Sequence, residues 1–482
     1  MSRHEHGIGG GMGAFAEFKA EYDALDAAYR DGSLTRDALG EWRTRRLRAV
    51  LAHAKARSPF YATRLAAIDP DAIDASDLSA LPFTTKDDLR DQMLGILSGG
   101  INDAIFYYET TGTTGAATPC PRDKKESYAS NLQLRHAYQD IVAQDFPEGH
   151  RPVIGILGPT EAHSFTDTLG AIAYDLDLCA AKIWPGSPII GFDKCLALMR
   201  DLKIEVIATA PGQVMTLAKE AIKRGLDPKR DFSVKVFMLS GELCTPELTA
   251  NLESLWGAKV YNSLYGSQEA FVIASATPRD HLRPHAPNYI FEVVDPETGA
   301  HVGATGRGEL VVTCLVDGVK PLIRYRTGDI VDLTDDGSAR LFDALRVQVV
   351  GRVKDAVELN GRRFTAAQIE SALMRGVQGC LGYQIVIGDD QARDTIVAKL
   401  ELPRLEAAER KALSERVQEH VLAALGAECT ALVVDDLSEH VNMGGWIKWK
   451  SARLVDSRET RAANADDIEL TTADLLSRLK SQ

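Results

Sequence analysis

The chain has 482 residues, of which 45% are hydrophobic and 26% charged, and its formal net charge is −13. This composition is typical of a globular protein with a large core, and the length allows two or three domains. The acidic balance argues against an extended nucleic-acid surface, because such a surface requires clustered lysine and arginine. The seven cysteines include no C-x-x-C pair, which favours reduced thiols over a disulfide framework.

The chain carries no recognisable membrane signal. Its first residues, MSRHEHGIGGGMG, contain no apolar stretch of the kind found in signal peptides. No apolar run approaches the roughly 18 residues that a membrane span requires. We therefore expect a cytoplasmic protein with neither nucleic-acid nor membrane partners.

The N-terminal part of the chain is predicted to be helical. From 14 to 66, apolar residues recur at three- and four-residue spacing, which is typical of amphipathic helices. Pro82 interrupts this pattern. A further short helix is predicted after it, with Thr84 or Thr85 as the N-cap.

In the middle of the chain, short apolar runs alternate with helical stretches. Strands are predicted at 153–158, 204–210 and 235–242. Alternation of strand and helix indicates βαβ units around a parallel sheet. From 288 to 347, short strands separated by Gly, Asp and Pro turns predict an antiparallel, barrel-like portion.

A smaller α+β unit is predicted after about residue 350. Its predicted elements are helices at 365–375 and 406–424 and strands at 383–388, 395–401 and 430–434. We therefore predict an α/β fold with mixed and parallel sheets flanked by helices. The predicted domains are a large N-terminal domain, 1–350, and a small mobile C-terminal domain, 351–482.

A loop rich in glycine and threonine is a candidate phosphate-binding site. Glycines let successive backbone N–H groups point at an anion, and threonine hydroxyls add donors. The loop is not a Walker A loop, because G-x-x-x-x-G-K-[ST] is absent, and on its own such a loop is more often a simple turn. Its residues are Thr110, Thr111, Gly112, Thr113, Thr114 and Gly115.

A second motif combines an aromatic residue, a glycine and a carboxylate. Tyr265 stands beside Gly266, and Glu269 follows three residues later. An aromatic ring can stack on a purine, and a carboxylate can hold Mg²⁺ through its oxygens. Gly241 and Glu242 end an earlier predicted strand. Taken alone, this pattern also fits a buried strand end with a solvated glutamate.

The third motif is RYRTGD together with the segments GRVKD and GRRF that follow it, and the fourth is a segment near the C-terminus. Asp329 ends the segment RYRTGD, where a carboxylate after a glycine turn can accept hydrogen bonds from ribose hydroxyls. GRVKD follows at 351–355, and GRRF begins at Gly361. The segment MGGWIKWKSAR, at 443–453, has the letters of a mobile basic loop whose lysine could reach an active site. Each of these also fits an ordinary turn or a solvated loop.

Read together, the four motifs resemble the adenylate-forming superfamily of acyl-CoA synthetases, peptide-synthetase adenylation domains and luciferases. TTGTTG resembles the phosphate loop of that superfamily, YGSQE its Y-G-x-T-E motif, and RYRTGD its Y-R-T-G-D motif. The resemblance spans about residues 80 to 456. Within the superfamily, RLRAVLAHAKARSPFYATRL, LPFTTKDDLRDQ and KSARLVD are most similar to phenylacetate–CoA ligases.

The resemblance implies ATP as a substrate, Mg²⁺ as a cofactor and coenzyme A as the expected acceptor. The acid carboxylate would attack the α-phosphate and pyrophosphate would leave, so positioning and charge neutralisation would promote the reaction. Lys450 would contact the carboxylate and the α-phosphate as the catalytic lysine. Glu269 would bind Mg²⁺.

The resemblance also assigns the nucleotide contacts and the hinge. The 110–115 loop would hold the β- and γ-phosphates. Lys354 would be the hinge, where rotation withdraws Lys450 and brings in the segment around Gly361 for the second half-reaction. The remaining implied contacts are Tyr265, Gly266, Gly241 and Glu242 for adenine, and Asp329 and Arg352 for ribose.

The acid pocket is predicted from position alone. His163 and Phe165 lie where phenylacetate–CoA ligases carry an aromatic-rich pocket helix, and we predict that both contact the acid. Ala210 and Gly212 would form a further wall. The alternative for His163 is a histidine whose hydrogen bonds are satisfied within the core.

The chain departs from the pattern of these ligases at several positions. Ala116 follows the phosphate loop where a lysine is usual, Gln268 replaces a hydroxyl residue, and Trp449 replaces a glycine. Some phenylacetate ligases hold a structural zinc with Cys and His. Residues 270–294 contain His281 and His285 but no cysteine, so we predict no zinc. A tail at 457–482 continues beyond the expected end.

The leading hypothesis is ATP-dependent activation of an aromatic carboxylic acid as its adenylate, followed by transfer to coenzyme A. The acceptor could instead be an amine or a carrier-protein thiol, and another oxyanion such as nitrite could replace the acid. A non-catalytic nucleotide-binding protein on the same fold is the alternative of another class. The resemblance also suggests a homodimer.

Overall fold

The computed structural model describes residues 8–110, 117–279, 281–390, 393–437 and 453–458. Contacts among residues divide the chain into two compact units. Unit 1 consists of residues 1–148, 160–176 and 263–349, and unit 2 of residues 149–159, 177–262 and 350–482.

The α-helices are α1 (Ile8–Asp31), α2 (Arg36–Arg57), α3 (Pro59–Arg64), α4 (Lys86–Gln92), α5 (Lys124–Asp145), α6 (Ser164–Asp175), α7 (Gly191–Asp201), α8 (Pro211–Lys223), α9 (Pro246–Trp256), α10 (Leu341–Ala344), α11 (Ala366–Met374) and α12 (Ala407–Leu425).

The strands are β1 (Ile154–Ile156), β2 (Ala180–Lys182), β3 (Val206–Thr209), β4 (Val236–Leu239), β5 (Lys259–Asn262), β6 (Leu264–Ser267), β7 (Phe271–Ala276), β8 (Leu282–Pro284), β9 (Tyr289–Val294), β10 (His301–Gly303), β11 (Gly306–Cys314), β12 (Tyr325–Asp335), β13 (Leu345–Arg352), β14 (Val357–Leu359), β15 (Arg362–Phe364), β16 (Gly382–Asp390), β17 (Arg393–Glu401), β18 (Glu428–Val434) and β19 (Leu454–Asp456).

Unit 1 is built on an eight-stranded sheet with the order β10-β9-β11-β12-β13-β8-β7-β6. Its N-terminal helices bury aromatic side chains in the same core, where the Trp42 indole donates to Pro287 O at 3.0 Å. Helices α1 to α3 confirm the helical pattern predicted for 14–66. The antiparallel pairing of β9, β11 and β12 confirms the strand-rich region predicted from 288 to 347.

Unit 2 contains a five-stranded parallel sheet with the order β2-β1-β3-β4-β5. Every residue of β3 and β4 is buried, as expected for a parallel sheet covered on both faces. In the register, Ala208 lies opposite Ile156 on one side and Met238 on the other. The three predicted strands are therefore confirmed, although each is shorter than its apolar run.

The C-terminal part of unit 2 contains a second sheet with the order β18-β17-β16-β19. Its elements match the helices and strands predicted beyond 350 to within a few residues. Leu373 and Ile385 from this part lie in one hydrophobic cluster with Phe237 and Trp256. The predicted domain boundary at 350 stays a prediction. Among the described helices, none is both long and apolar enough to cross a membrane.

Candidate active site

Two predicted nucleotide-contacting residues of unit 1 lie together. The Tyr265 hydroxyl, on β6, donates to Asp329 Oδ2, on β12, at 2.9 Å. Three strands separate β6 from β12 in the sheet order, and neighbouring strands lie about 4.8 Å apart. One tyrosine and one aspartate cannot bridge four such spacings in a flat sheet, so the sheet must curl strongly at this point.

The glycine of YGSQE is required by a close backbone approach. A Cβ atom on Gly266 would lie 2.1 Å from Phe271 O, on the facing strand of the β6–β7 hairpin. A side chain there would force the hairpin apart. The hairpin therefore fixes the position of Tyr265 on one strand and of Glu269 in the connecting turn.

Glu269 is a buried carboxylate with a cationic partner. Its Oε1 lies 2.8 Å from Lys86 Nζ, and only 5% of the Glu269 side chain is exposed. Burial alone would raise the pKa of Glu269. The charge and hydrogen bond of Lys86, together with a backbone hydrogen bond and the charge of Lys320, outweigh burial and lower it. Lys320 Nζ donates to Glu269 O at 2.7 Å. The side chain is therefore an ionised carboxylate, and its oxygens are ligands of the kind that Mg²⁺ prefers.

Lys86 is a residue that sequence reasoning missed. It begins α4, where the Thr85 hydroxyl caps the helix by accepting from Asp88 N at 3.1 Å. The preceding residue, Thr84, pairs with the RYRTGD segment, since its N–H donates to Arg324 O at 2.9 Å. The available signal was LPFTTKDDLR, which resembles the ligases and contains a lysine.

The two ends of the predicted phosphate loop are held together. Thr110 N donates to Thr118 O at 3.1 Å, and Thr118 N donates to the Thr110 hydroxyl at 2.9 Å. Glu109 N donates to Ala162 O at 3.0 Å. Thr111, Gly112, Thr113, Thr114 and Gly115 lie outside the described residues.

The predicted acid-pocket residues fall in both units. In unit 1, His163 caps α6, because its Nδ1 accepts from Phe165 N at 3.2 Å, and Phe165 is buried. In unit 2, Ala210 is buried and precedes α8, and Gly212 lies in the first turn of that helix. Their assignment to the acid stays a prediction.

Glu242, the predicted adenine neighbour in unit 2, belongs to a buried charge cluster. Its Oε2 accepts from Gly212 N at 3.0 Å and lies 3.5 Å from Arg453 Nη1. Arg453 Nη2 lies 3.4 Å from Glu370 Oε2 and donates to Leu243 O at 2.8 Å. Burial alone would lower the pKa of Arg453, but the facing tyrosine and carboxylates raise it. Sequence reasoning missed this cluster.

The remaining predicted residues lie at a strand end, in turns, or outside the described residues. Arg352 ends β13, and Lys354 lies in a short 3₁₀ turn, Val353–Asp355. Asn360 and Gly361 have φ of 49° and 75° and form the two-residue turn between β14 and β15. Lys450 lies outside the described residues. The ribose, hinge, acceptor and catalytic roles stay predictions.

The two histidines considered for zinc have hydroxyl neighbours. His281 Nδ1 lies 3.2 Å from the Thr277 hydroxyl, and His285 Nε2 lies 2.8 Å from the Ser275 hydroxyl. Burial lowers the pKa of His285 to about 3. In the parts of the chain that the structure describes, no group of three His, Cys, Asp or Glu could hold a metal. The expected absence of zinc stays a prediction.

Comparison with known proteins gives consistent matches. The AMP-binding enzyme family matches residues 41–314. A phenylacetate–coenzyme A ligase of Thermus thermophilus is 27% identical over 84% of this chain and 92% of its own length. One of Pseudomonas putida is 26% identical over 89% of this chain and 95% of its own length. These matches confirm both resemblances predicted from the sequence.

A solved structure has the same fold. A 2-hydroxyisobutyryl-CoA ligase in complex with an acyl-adenylate covers 93% of this chain and 94% of its own length, with a TM-score of 0.76 at 20% identity. At that identity the likeness concerns the fold alone. It confirms the predicted α/β class with parallel and antiparallel sheets.

Proposed function

Because the chain belongs to the AMP-binding enzyme family, we propose that it activates a carboxylic acid with ATP as the acyl-adenylate and transfers the acyl group to coenzyme A. The Tyr265–Asp329 hydrogen bond carries the proposal, since it joins the residues assigned to adenine and to ribose. The ionised Glu269 lies in the turn that follows β6, the strand of Tyr265, on the same hairpin. Nucleotide-binding and metal-binding groups thus arise from one short segment.

Each residue has a physical task in this proposal. Tyr265 stacks on the adenine ring and keeps Asp329 oriented, so that its carboxylate accepts hydrogen bonds from the ribose. Glu269 fits Mg²⁺, because it is ionised and offers oxygen ligands, and the metal would neutralise phosphate charge. Carboxylates are weak nucleophiles, so alignment of the acid with the α-phosphate is the main contribution of the chain. Lys450 offsets the charge that develops there.

The acid is proposed to be aromatic and the acceptor to be coenzyme A. Both follow from the relatives named phenylacetate–coenzyme A ligase, which align with most of this chain. His163 and Phe165 are the proposed acid contacts in unit 1. For the second half-reaction, Lys354 is the proposed hinge and the turn at Gly361 the proposed acceptor-side segment.

The adenylation step is tested by ATP–pyrophosphate exchange with a panel of aryl acids. We expect exchange with at least one acid and its loss in Lys450→Ala, which should still bind ATP. Binding of ATP without exchange for any acid would favour the non-catalytic alternative.

The acceptor is tested separately, by mass spectrometry of the product formed from one accepted acid. Reactions contain ATP with coenzyme A, with a free amine, or with neither. The acyl-coenzyme A thioester is the expected product. An amide formed without coenzyme A would contradict the thiol assignment and leave the adenylation step intact.

A further inference from the structure

Lys320 is a buried lysine of unit 1 whose ammonium binds the backbone of Glu269. Only 2% of Lys320 is exposed. Its Nζ donates to Glu269 O at 2.7 Å and lies 5.2 Å from the centre of the Phe271 ring. Lysine is almost never fully buried unless it is paired, because its charge loses hydration. The contact with Glu269 therefore has to be explained by more than packing.

The backbone of Lys320 is held by the N-terminal end of α5. Asp123 and Glu126 form a capping box there, in which Glu126 N donates to Asp123 Oδ1 at 2.8 Å and Asp123 N donates to Glu126 Oε2 at 2.8 Å. The second oxygen of each carboxylate accepts from a distant loop. Lys320 N donates to Glu126 Oε1 at 2.9 Å, and Val319 N donates to Asp123 Oδ2 at 3.1 Å. The helix cap thus fixes two consecutive peptide groups of the loop.

The same loop approaches α5 so closely that it requires a glycine. A Cβ atom on Gly318 would overlap the side chain of Glu126, which is 1% exposed and bound at both oxygens. Lys125, also on α5, pairs with Asp317 at 2.9 Å. The loop is therefore bound to α5 along its length, and this sets the point from which the buried ammonium extends.

Glu269 thus has two cationic neighbours in different surroundings. Lys86 Nζ lies 2.8 Å from its carboxylate, and the Lys86 side chain is 44% exposed. Lys320 binds the backbone carbonyl instead, from the buried side. Burial would raise the pKa of Glu269, and the charges of Lys86 and Lys320 both lower it. A neutral donor could bind the carbonyl as well, but it would supply no positive charge when Lys86 leaves the carboxylate.

We infer that Lys320 is a positioning residue for Glu269: its ammonium, placed by the start of α5, fixes the glutamate from the buried side and leaves the carboxylate to Lys86 or to Mg²⁺. The inference rests on the proposed function for the role of Glu269 as a magnesium ligand. In this assignment Lys320 acts through Glu269 and not on ATP itself.

The test is calorimetry on the full chain with two nucleotides, ATP in the presence of Mg²⁺ and AMP in its absence. AMP offers the same adenine and ribose without a metal. We expect Lys320→Met to weaken binding of ATP with Mg²⁺ about tenfold, because a charged hydrogen bond to Glu269 is removed, and to leave the Kd for AMP unchanged. Lys320→Arg should recover part of the loss. Equal weakening for both nucleotides, or wild-type Kd values for both in a folded Lys320→Met variant, would overturn the inference.

Lys399→Met is the matched control. Lys399, on β17 in unit 2, is also a lysine with 2% exposure. Its substitution should leave the ratio of the two Kd values at the wild-type value. A change of this ratio as large as that in Lys320→Met would mean a general effect of losing a buried lysine and would contradict the inference.

A milder variant decides the question if Lys320→Met does not fold. Asp123→Asn leaves one oxygen where two N–H groups now bind, so it loosens the loop and keeps Lys320. It should weaken binding of ATP with Mg²⁺ about two- to fivefold and leave AMP unaffected, and an unchanged ratio would overturn the inference. A changed ratio in an enzyme that shows no exchange with any acid would overturn the proposed function and leave this inference standing.

Discussion

Units 1 and 2 both hold a glutamate assigned to the nucleotide, but the two carboxylates are paired in different ways. Glu269 in unit 1 faces Lys86, whose side chain is 44% exposed. Glu242 in unit 2 faces Arg453, which is 9% exposed and also pairs with Glu370. A half-exposed lysine can exchange partners at little loss, whereas a buried arginine between two carboxylates cannot. The first pair is suited to binding a reactant and the second to holding the fold.

Removal of Arg453 should have the largest effect. Arg453→Met would remove the cation that lies 3.5 Å from Glu242 and 3.4 Å from Glu370, both buried carboxylates, so we expect a loss of about 3–5 kcal/mol in the free energy of unfolding. The Thr245 hydroxyl, which donates to Glu370 Oε1 at 2.9 Å, cannot neutralise that charge. Urea denaturation monitored by circular dichroism measures the change.

Arg458→Met provides the control for this prediction. Arg458 pairs with Asp394 and Asp456, and its side chain is 24% exposed, against 9% for Arg453. A loss of about 1 kcal/mol or less is expected. Equal losses in the two variants would show that burial does not distinguish Arg453 from an ordinary surface ion pair.

Sequence patterns predicted the helices and strands well, but they predicted few of the contacts that the charged side chains make. The parallel strands were visible because β3 and β4 are buried on both faces and leave continuous apolar runs. Tyr265 and Glu269 could be proposed together from one short motif. They lie within one hairpin, where residues that are close in the sequence are also close in the structure. Their proximity therefore did not depend on contacts between distant segments.

Pairings between distant segments were not predictable in the same way. Lys86 and Glu269 are brought together by the pairing of Thr84 with the strand segment at Arg324, which no local pattern encodes. The role of His163 as a helix cap was also missed, because histidine is not a preferred N-cap residue.

Substitution of Lys86 should have an intermediate effect, on activity rather than on folding. Because Lys86 lowers the pKa of Glu269, Lys86→Met should raise that pKa. Glu269 then takes up its proton at a higher pH as the solution is acidified, so the acid limb of the exchange activity moves toward neutral pH. If Glu269 binds the magnesium of ATP as proposed, loss of its cationic partner should also change KM for ATP, by about tenfold. Exchange rates measured against pH and ATP concentration test both effects.

Two variants sharpen the interpretation of Lys86. Lys86→Arg keeps the charge and should keep the acid limb near its wild-type position. Arg90→Met removes another cation of the same helix, one that pairs with Asp87 at 3.1 Å rather than with Glu269, and should change neither quantity. A wild-type pH profile in Lys86→Met would mean that the ion pair with Glu269 has no part in binding.

The smallest effect is expected from the Tyr265 hydroxyl. Tyr265→Phe keeps the ring for stacking and removes only the hydrogen bond to Asp329, which should contribute about 0.5–1.5 kcal/mol. If Asp329 holds the ribose, KM for ATP should rise about two- to tenfold with little change in kcat. Tyr289→Phe is the control, because it removes a buried hydroxyl that donates to Ala270 O at 2.6 Å in the same unit. Both variants should lose similar stability, and only Tyr265→Phe should change KM for ATP. An unchanged KM would separate Asp329 from the ribose and would leave the Tyr265–Asp329 pair as a structural contact of unit 1.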